Sequence, residues 1–148
     1  MSETVVIGRS KALGAIYWAT PAATSNATNT PIKCAGTTAT HGTAFLVTQA
    51  TTNRLTYTGN RTRVFMAHAT VGISAAAATT GKIHLYQDGS AVTGASVTRA
   101  FSNTDIGVLA IHALVSMATN SYIELWCETN DGADLTVQNG VFSISTTD

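Results

Sequence analysis

Turn chemistry cuts this chain at short intervals. Thr58-Gly59-Asn60, Asp88-Gly89, Asn103-Thr104-Asp105, Asn130-Asp131-Gly132 and Asn139-Gly140 place Gly, Asn and Asp where a backbone reverses. That punctuation leaves room for strands and little for helices. The residues in between agree: Thr, Val, Ile and aromatics recur, while Glu, Lys, Leu and Gln, the usual fillers of helix surfaces, are sparse. Many short strands between regular turns predict an all-β sandwich or barrel.

Pattern alone places about ten strands: Leu13 to Ala19, Pro31 to Gly36, Ala44 to Thr48, Arg54 to Thr58, Arg61 to Ser74, Lys82 to Gln87, Ala91 to Phe101, Ile106 to Met117, Ser121 to Thr129 and Leu135 to Ser145. In Ser121 to Thr129 the period of two puts Ile123, Leu125 and Cys127 on a core face, opposite Tyr122, Glu124, Trp126 and Glu128. In Ile106 to Met117, Leu109, Ile111, Ala113, Val115 and Met117 oppose Val108, Ala110, His112, Leu114 and Ser116. In Arg61 to Ser74, Phe65, Ala67, Ala69, Val71 and Ile73 oppose Val64, Met66, His68 and Thr70. A small sandwich has one inside, so the second apolar face of these two strands predicts a covering partner, most economically another copy of the chain. The residues expected at that interface are Val64, Met66, His68, Val108, His112 and Leu114.

The domain expected is one jelly roll over residues 13–148, preceded by an arm at 1–12. Thr20 to Thr30, rich in Ala, Thr, Asn and Ser between Pro21 and Pro31, reads as a surface connection, and Ala75 to Gly81 as a loop. In the arm, Thr4, Val5, Val6 and Ile7 have strand propensity and can add to a sheet edge elsewhere, with Arg9 and Lys11 as rim contacts.

Charge narrows the partners. Only 11% of the 148 residues are charged, with eight basic and eight acidic side chains and a net charge of zero. Phosphate binding needs a concentrated cationic surface, so nucleic acid is not expected; Arg54, Arg61 and Arg63 form the nearest basic group and read as a solvated or subunit-facing turn. Apolar runs are interrupted every few residues, so no membrane span is expected, and Met1-Ser2-Glu3 opens no secretory signal.

No catalytic constellation emerges. There is no Gly-x-Ser-x-Gly elbow, no phosphate loop after Gly8 or Gly14, and Glu124 and Glu128 resemble solvated edge residues. Four histidines are present, three of them (His68, His84, His112) within predicted strands, but no two have a spacing that would place two ligands on one element. Neither a metal nor a cofactor is predicted, although strand histidines could meet symmetry mates on an axis. Cys34 and Cys127 read first as buried packing residues, and a disulfide between them stays open. Tyr17, Trp18, Tyr57, Tyr86, Tyr122 and Trp126 could stack on sugars, but core or interface is the commoner place for them in a sandwich.

The run from Thr30-Pro31-Ile32-Lys33-Cys34-Ala35-Gly36, then Asn53-Arg54-Leu55-Thr56-Tyr57-Thr58-Gly59, a long apolar strand, Tyr86-Gln87-Asp88-Gly89 and Tyr122-Ile123-Glu124-Leu125-Trp126-Cys127 resembles jelly-roll heads of the C1q and tumour-necrosis-factor type. Phage and other viral structural proteins carry such heads. The resemblance implies a two-sheet antiparallel jelly-roll sandwich, a homotrimer and no catalytic residues. It implies a virion structural protein, most simply a trimeric capsid cement or decoration protein on the capsid surface, made in the host cytoplasm and bound to the major capsid protein. The alternative it carries is a receptor- or glycan-binding head of a fibre or an extracellular recognition module.

Overall fold

The structure, a computed structural model, describes residues 11–103 and 105–147. Those residues form β1 (Leu13–Thr20), β2 (Ala23–Thr24), β3 (Ile32–Lys33), β4 (Thr37–Thr40), β5 (Val47–Thr48), β6 (Arg54–Tyr57), β7 (Arg63–Ala75), β8 (Thr79–Gln87), β9 (Ser90–Phe101), β10 (Ile106–Met117), β11 (Tyr122–Thr129) and β12 (Leu135–Thr146), and no helix. They make two antiparallel sheets. The first runs β10-β7-β12-β1-β4, with β2 on the end of β12; the second runs β5-β6-β11-β8-β9, with β3 beside β11. Apart from the consecutive pairs β5–β6 and β8–β9, neighbours within each sheet are not consecutive in the sequence, as in a jelly roll.

The period-two pattern decides what the sandwich encloses. On β10, Leu109, Ile111, Val115 and Met117 are buried while Val108, Ala110, His112, Leu114 and Ser116 are exposed; on β7, Phe65, Ala67, Ala69, Val71 and Ile73 are fully buried and Val64, Met66, His68 and Thr70 are exposed. Ile83 and Leu85 of β8, Ile123, Leu125 and Cys127 of β11, and Phe142 and Ile144 of β12 complete the core. Tyr57 packs edge-on against Phe65 at 4.9 Å, and its hydroxyl donates to the Arg61 carbonyl at 2.8 Å, so a polar atom enters the core with its partner. A bulge between Val137 and Asn139 lets β12 stay paired with β7, and Gly140 (φ +147°) lies so close to β7 that a Cβ there would come within 2.6 Å of the Thr70 carbonyl oxygen.

Several expectations need correction. The segment read as a surface connection contributes β2, with Thr24 buried and its hydroxyl accepting from the Ala35 N–H at 2.9 Å. β4 lies in a Thr-rich stretch that no apolar alternation marked; its buried Thr38 hydroxyl accepts from the Asn53 N–H at 2.9 Å and from Gln49 Nε2 at 2.9 Å. Thr79 to Gly81 is strand, not loop, because Thr79 is buried with its hydroxyl bonded to Asn130 and Asp131. Thr4, Val5, Val6, Ile7 and Arg9 lie outside the described residues. Lys11 is exposed, and Ala12 is fully buried, exchanging backbone and hydroxyl hydrogen bonds with Thr146.

Candidate interaction faces

The sandwich turns two unlike faces outward. The outer face of the first sheet is built from Ile106, Val108, Ala110, His112, Leu114 and Ser116 on β10, Val64, Met66, His68 and Thr70 on β7, Val141, Ser143 and Ser145 on β12, and Leu13, Ala15 and Tyr17 on β1. Val108 and Leu114 are 64% and 61% exposed, large values for apolar side chains on regular strands. Among the described residues, no Asp, Glu, Lys or Arg stands at an outward strand position of this sheet. Its charged neighbours include Arg63 at the start of β7, Lys11 before β1, and the Arg99–Asp105 pair (3.3 Å) beside the start of β10. All six residues expected from the sequence to meet a second copy therefore sit together on one continuous face.

Register adds what the sequence could not give. β7 and β10 are antiparallel with His68 directly opposite His112, and Ser143 of β12 follows on the other side of His68. The Thr70 hydroxyl lies 3.4 Å from His68 Nε2. His41 lies edge-on to Tyr17 at 6.1 Å, so three of the four histidines belong to this face or its margin. β10 is also the edge of its sheet, and two grooves flank it. One of about 260 Å³ runs between Gly94, Ser96 and Val97 of β9 and Ala110 to His112; another of about 380 Å³ lies between Gln87 to Thr93 and Leu114 to Ser116.

The outer face of the second sheet carries the charges. Glu124 is 2% exposed, and its carboxylate accepts from Arg54 Nε at 2.8 Å and Lys33 Nζ at 3.3 Å on one oxygen and from Trp126 Nε1 at 2.9 Å on the other. Burial pushes this carboxyl upward, but the Trp126 and Arg54 hydrogen bonds and the two positive charges outweigh it and hold the group below the usual glutamate value. Glu124 is thus an anchored internal ion, not a solvated edge residue. Arg54 leaves the expected basic group for the same reason, its guanidinium lying 3.7 Å from the Tyr122 ring centroid. Tyr86 stacks on Trp126 at 4.1 Å and 6°, and Glu128 meets Lys82 at 3.2 Å and His84 at 3.1 Å. Beside Glu128, a cleft of about 270 Å³ is lined by Asn29, Thr80, Lys82, Thr98 and Asn130. Of the six aromatics that could stack on sugars, Trp18 and Tyr57 are core residues, Tyr17 belongs to the first face, and Tyr86, Tyr122 and Trp126 share this one.

The two cysteines face each other inside the sandwich. Cys34 N–H donates to the Leu125 carbonyl, which sets Cys34 diagonally beside Cys127 on β11, and both thiols are buried and free. A hydrogen bond between the thiols and burial push Cys34 upward, while the same bond lowers Cys127, whose thiol also lies 3.8 Å from Asn26 Oδ1.

No family model matches the sequence, and no curated protein matches it. Solved structures do. Murine APRIL at pH 5.0 superposes with a TM-score of 0.65 at 6% identity, covering 93% of this chain and 99% of that one. The Eiger TNF of S. frugiperda superposes with a TM-score of 0.59 at 8% identity, covering 95% and 94%. At such identities the likeness is one of fold, and the fold is the two-sheet antiparallel jelly roll of the tumour-necrosis-factor type.

Proposed function

We propose that this chain is the head of a self-assembling recognition protein, a homotrimer that acts by binding a receptor or glycan and not by catalysis. The observation that carries the reading is the division of labour between the two outer faces: one apolar and free of carboxylates, lysines and arginines, the other holding the ion pairs, stacked aromatics and a polar cleft. The occupant of the apolar face is another copy of the same chain. Leu114 and His112 stand on that face and also line the grooves at the β10 edge, so face and edge form one continuous surface, and the edge of one copy can seat on the face of the next. Such a head-to-tail contact closes into a ring when the rotation permits. The second sheet then faces the medium and offers hydrogen bonds and aromatic surface to a partner. A recognition head has the support of the tumour-necrosis-factor fold, whereas the place on a capsid has no support beyond the resemblance, and the arm that would anchor it, Thr4 to Lys11, lies almost wholly outside the described residues.

Sedimentation equilibrium at micromolar concentration tests the assembly. The expected species has three times the chain mass of 15.3 kDa, and Leu114→Asp, which adds a charge at a site already open to water in the single chain, leaves a folded monomer. A wild-type chain that remains monomeric overturns the proposal. A glycan array probed with the trimer and with Trp126→Ala tests the outward face.

A further inference from the structure

We propose that His68 and His112 form a site for a divalent transition metal of the zinc, nickel or copper type, with the remaining ligands supplied by the equivalent histidines of neighbouring copies where these residues meet on the symmetry axis. The second half rests on the self-assembly reading above; the first does not. Directly opposed residues on antiparallel strands hold their Cβ atoms about 4.5–5.5 Å apart, and a metal–imidazole nitrogen bond is about 2.0–2.1 Å, so two opposed imidazoles can reach one ion. Spacing along the chain hid this pair. The residues are far apart in sequence and become neighbours only through the β7–β10 register.

Ligand chemistry selects the class of ion. The outer positions of this sheet offer imidazole nitrogens and hydroxyls, and no carboxylate among the described residues. Calcium and magnesium need oxygen ligands, whereas imidazole suits zinc, copper and nickel. Both residues are exposed in the single chain, and among the described residues the His68 ring has a long contact with the Thr70 hydroxyl. His112 also lines the groove of about 260 Å³ at the sheet edge, so in the single chain the pair is open to an ion from solvent. Among the described residues, no group of three or more metal-binding side chains exists within one chain, so a closed four-ligand shell needs a second copy. Ligation requires neutral imidazole, and acid therefore releases the ion. Tyr17 is a further titratable group on the face, with His41 at its margin; Arg63 stands at the start of β7, and Lys11 and the Arg99–Asp105 pair at the rim.

Calorimetric titration of the full chain with zinc chloride and with nickel chloride is the test, with calcium chloride as the contrast. His68→Ala and His112→Ala should each weaken zinc binding at least about tenfold while circular dichroism stays unchanged, and His84→Ala should leave it intact. Leu114→Asp, which separates the copies, should also weaken binding. Absence of zinc binding by a chain that sediments as an oligomer would overturn the metal site and leave the assembly standing. Affinity and stoichiometry unchanged in the Leu114→Asp monomer would overturn the shared shell, and binding that survives both histidine substitutions would overturn the assignment altogether.

Discussion

Replacing Glu124 by Gln removes a negative charge that three donors were built around. In the native chain the side chain of Glu124 is 3% exposed, while Arg54 and Lys33 are 28% and 32% exposed. A hydrogen bond to a charged group contributes about 1.5–3 kcal/mol net, and stripping one partner from a fully buried pair costs about 3–5 kcal/mol. Here the two cations keep roughly a third of their surface in water and recover hydration when the carboxylate goes, so the lower range applies. Gln also retains one acceptor, which can hold Trp126 or Arg54 but not both sets. The expected loss is about 2–3 kcal/mol, and for a chain of this size a melting temperature lower by about 5–10 °C. Protomer concentration must be fixed, since assembly raises apparent stability by mass action. The effect is pH-dependent with a defined sign. Because the folded carboxyl is held below the ordinary value of about 4.3, its contribution is complete above that value and disappears as pH falls through the lower, folded one. Denaturant titrations of wild type and Glu124→Gln at pH 7, 5 and 3 should therefore converge toward the acid end. Glu128→Gln is the control: its side chain is 14% exposed against 3% for Glu124, and its lysine partner Lys82 is 38% exposed, which makes its loss smaller, about 1 kcal/mol. If Glu124→Gln costs no more than Glu128→Gln, or if the gap stays constant with pH, the anchored-ion account is refuted.

Two further outcomes follow from the backbone and the core. Gly140→Ala should lower stability by at least about 2 kcal/mol in urea denaturation, since φ +147° is open to glycine and the new methyl would meet the Thr70 carbonyl oxygen and Val71 Cγ1, each at 2.6 Å; a cost under about 0.5 kcal/mol would contradict the close β12–β7 approach. Protein purified without reductant should titrate two thiols after denaturation and react slowly with a thiol reagent while native, with a melting temperature indifferent to dithiothreitol; recovery of no thiols would mean that Cys34 and Cys127 had already joined.

Strand faces were legible in the sequence wherever apolar residues alternate. Phe65 to Ile73 against Val64 to Thr70, and Leu109 to Met117 against Val108 to Ser116, divide in the structure along the lines their period implied. β4 and β2 were not legible because Thr38 and Thr24 are held inward by backbone hydrogen bonds from Asn53 and Ala35, and threonine carries no hydrophobic signature. The charged face was half legible. Alternation placed Glu124 and Trp126 opposite the core, but only pairing across strands could bring Arg54 to Glu124 on one side and Tyr86 on the other. His68 and His112 fall under the same limitation: period fixes the face of a residue, and register fixes its neighbour.

β10 ends the first sheet, so one row of its backbone N–H and C=O groups lacks a hydrogen-bonded strand partner, with β9 of the second sheet across a groove from it, along twelve residues that include no Asp, Glu, Lys or Arg. A long, uncharged edge of that kind invites indiscriminate pairing, and monomeric proteins usually blunt it with lysine, proline or a bulge. Here β10 has none of the three: its register with β7 runs without a shift from Ile106–Ser74 to Met117–Arg63. The outward side chains of the same strand are the most exposed apolar groups of the face, Val108 and Leu114. One partner surface that covers both the edge and the side chains removes both liabilities at once, and an identical chain is always present at the needed stoichiometry. Because the covering and covered surfaces differ, edge on one copy and face on the other, each copy must both give and receive. Rotation about a closed axis lets every copy do so without leaving an open end, whereas a translation would leave one edge bare and grow fibres. The closed homotrimer we propose is a small ring that covers the edge and the apolar face together.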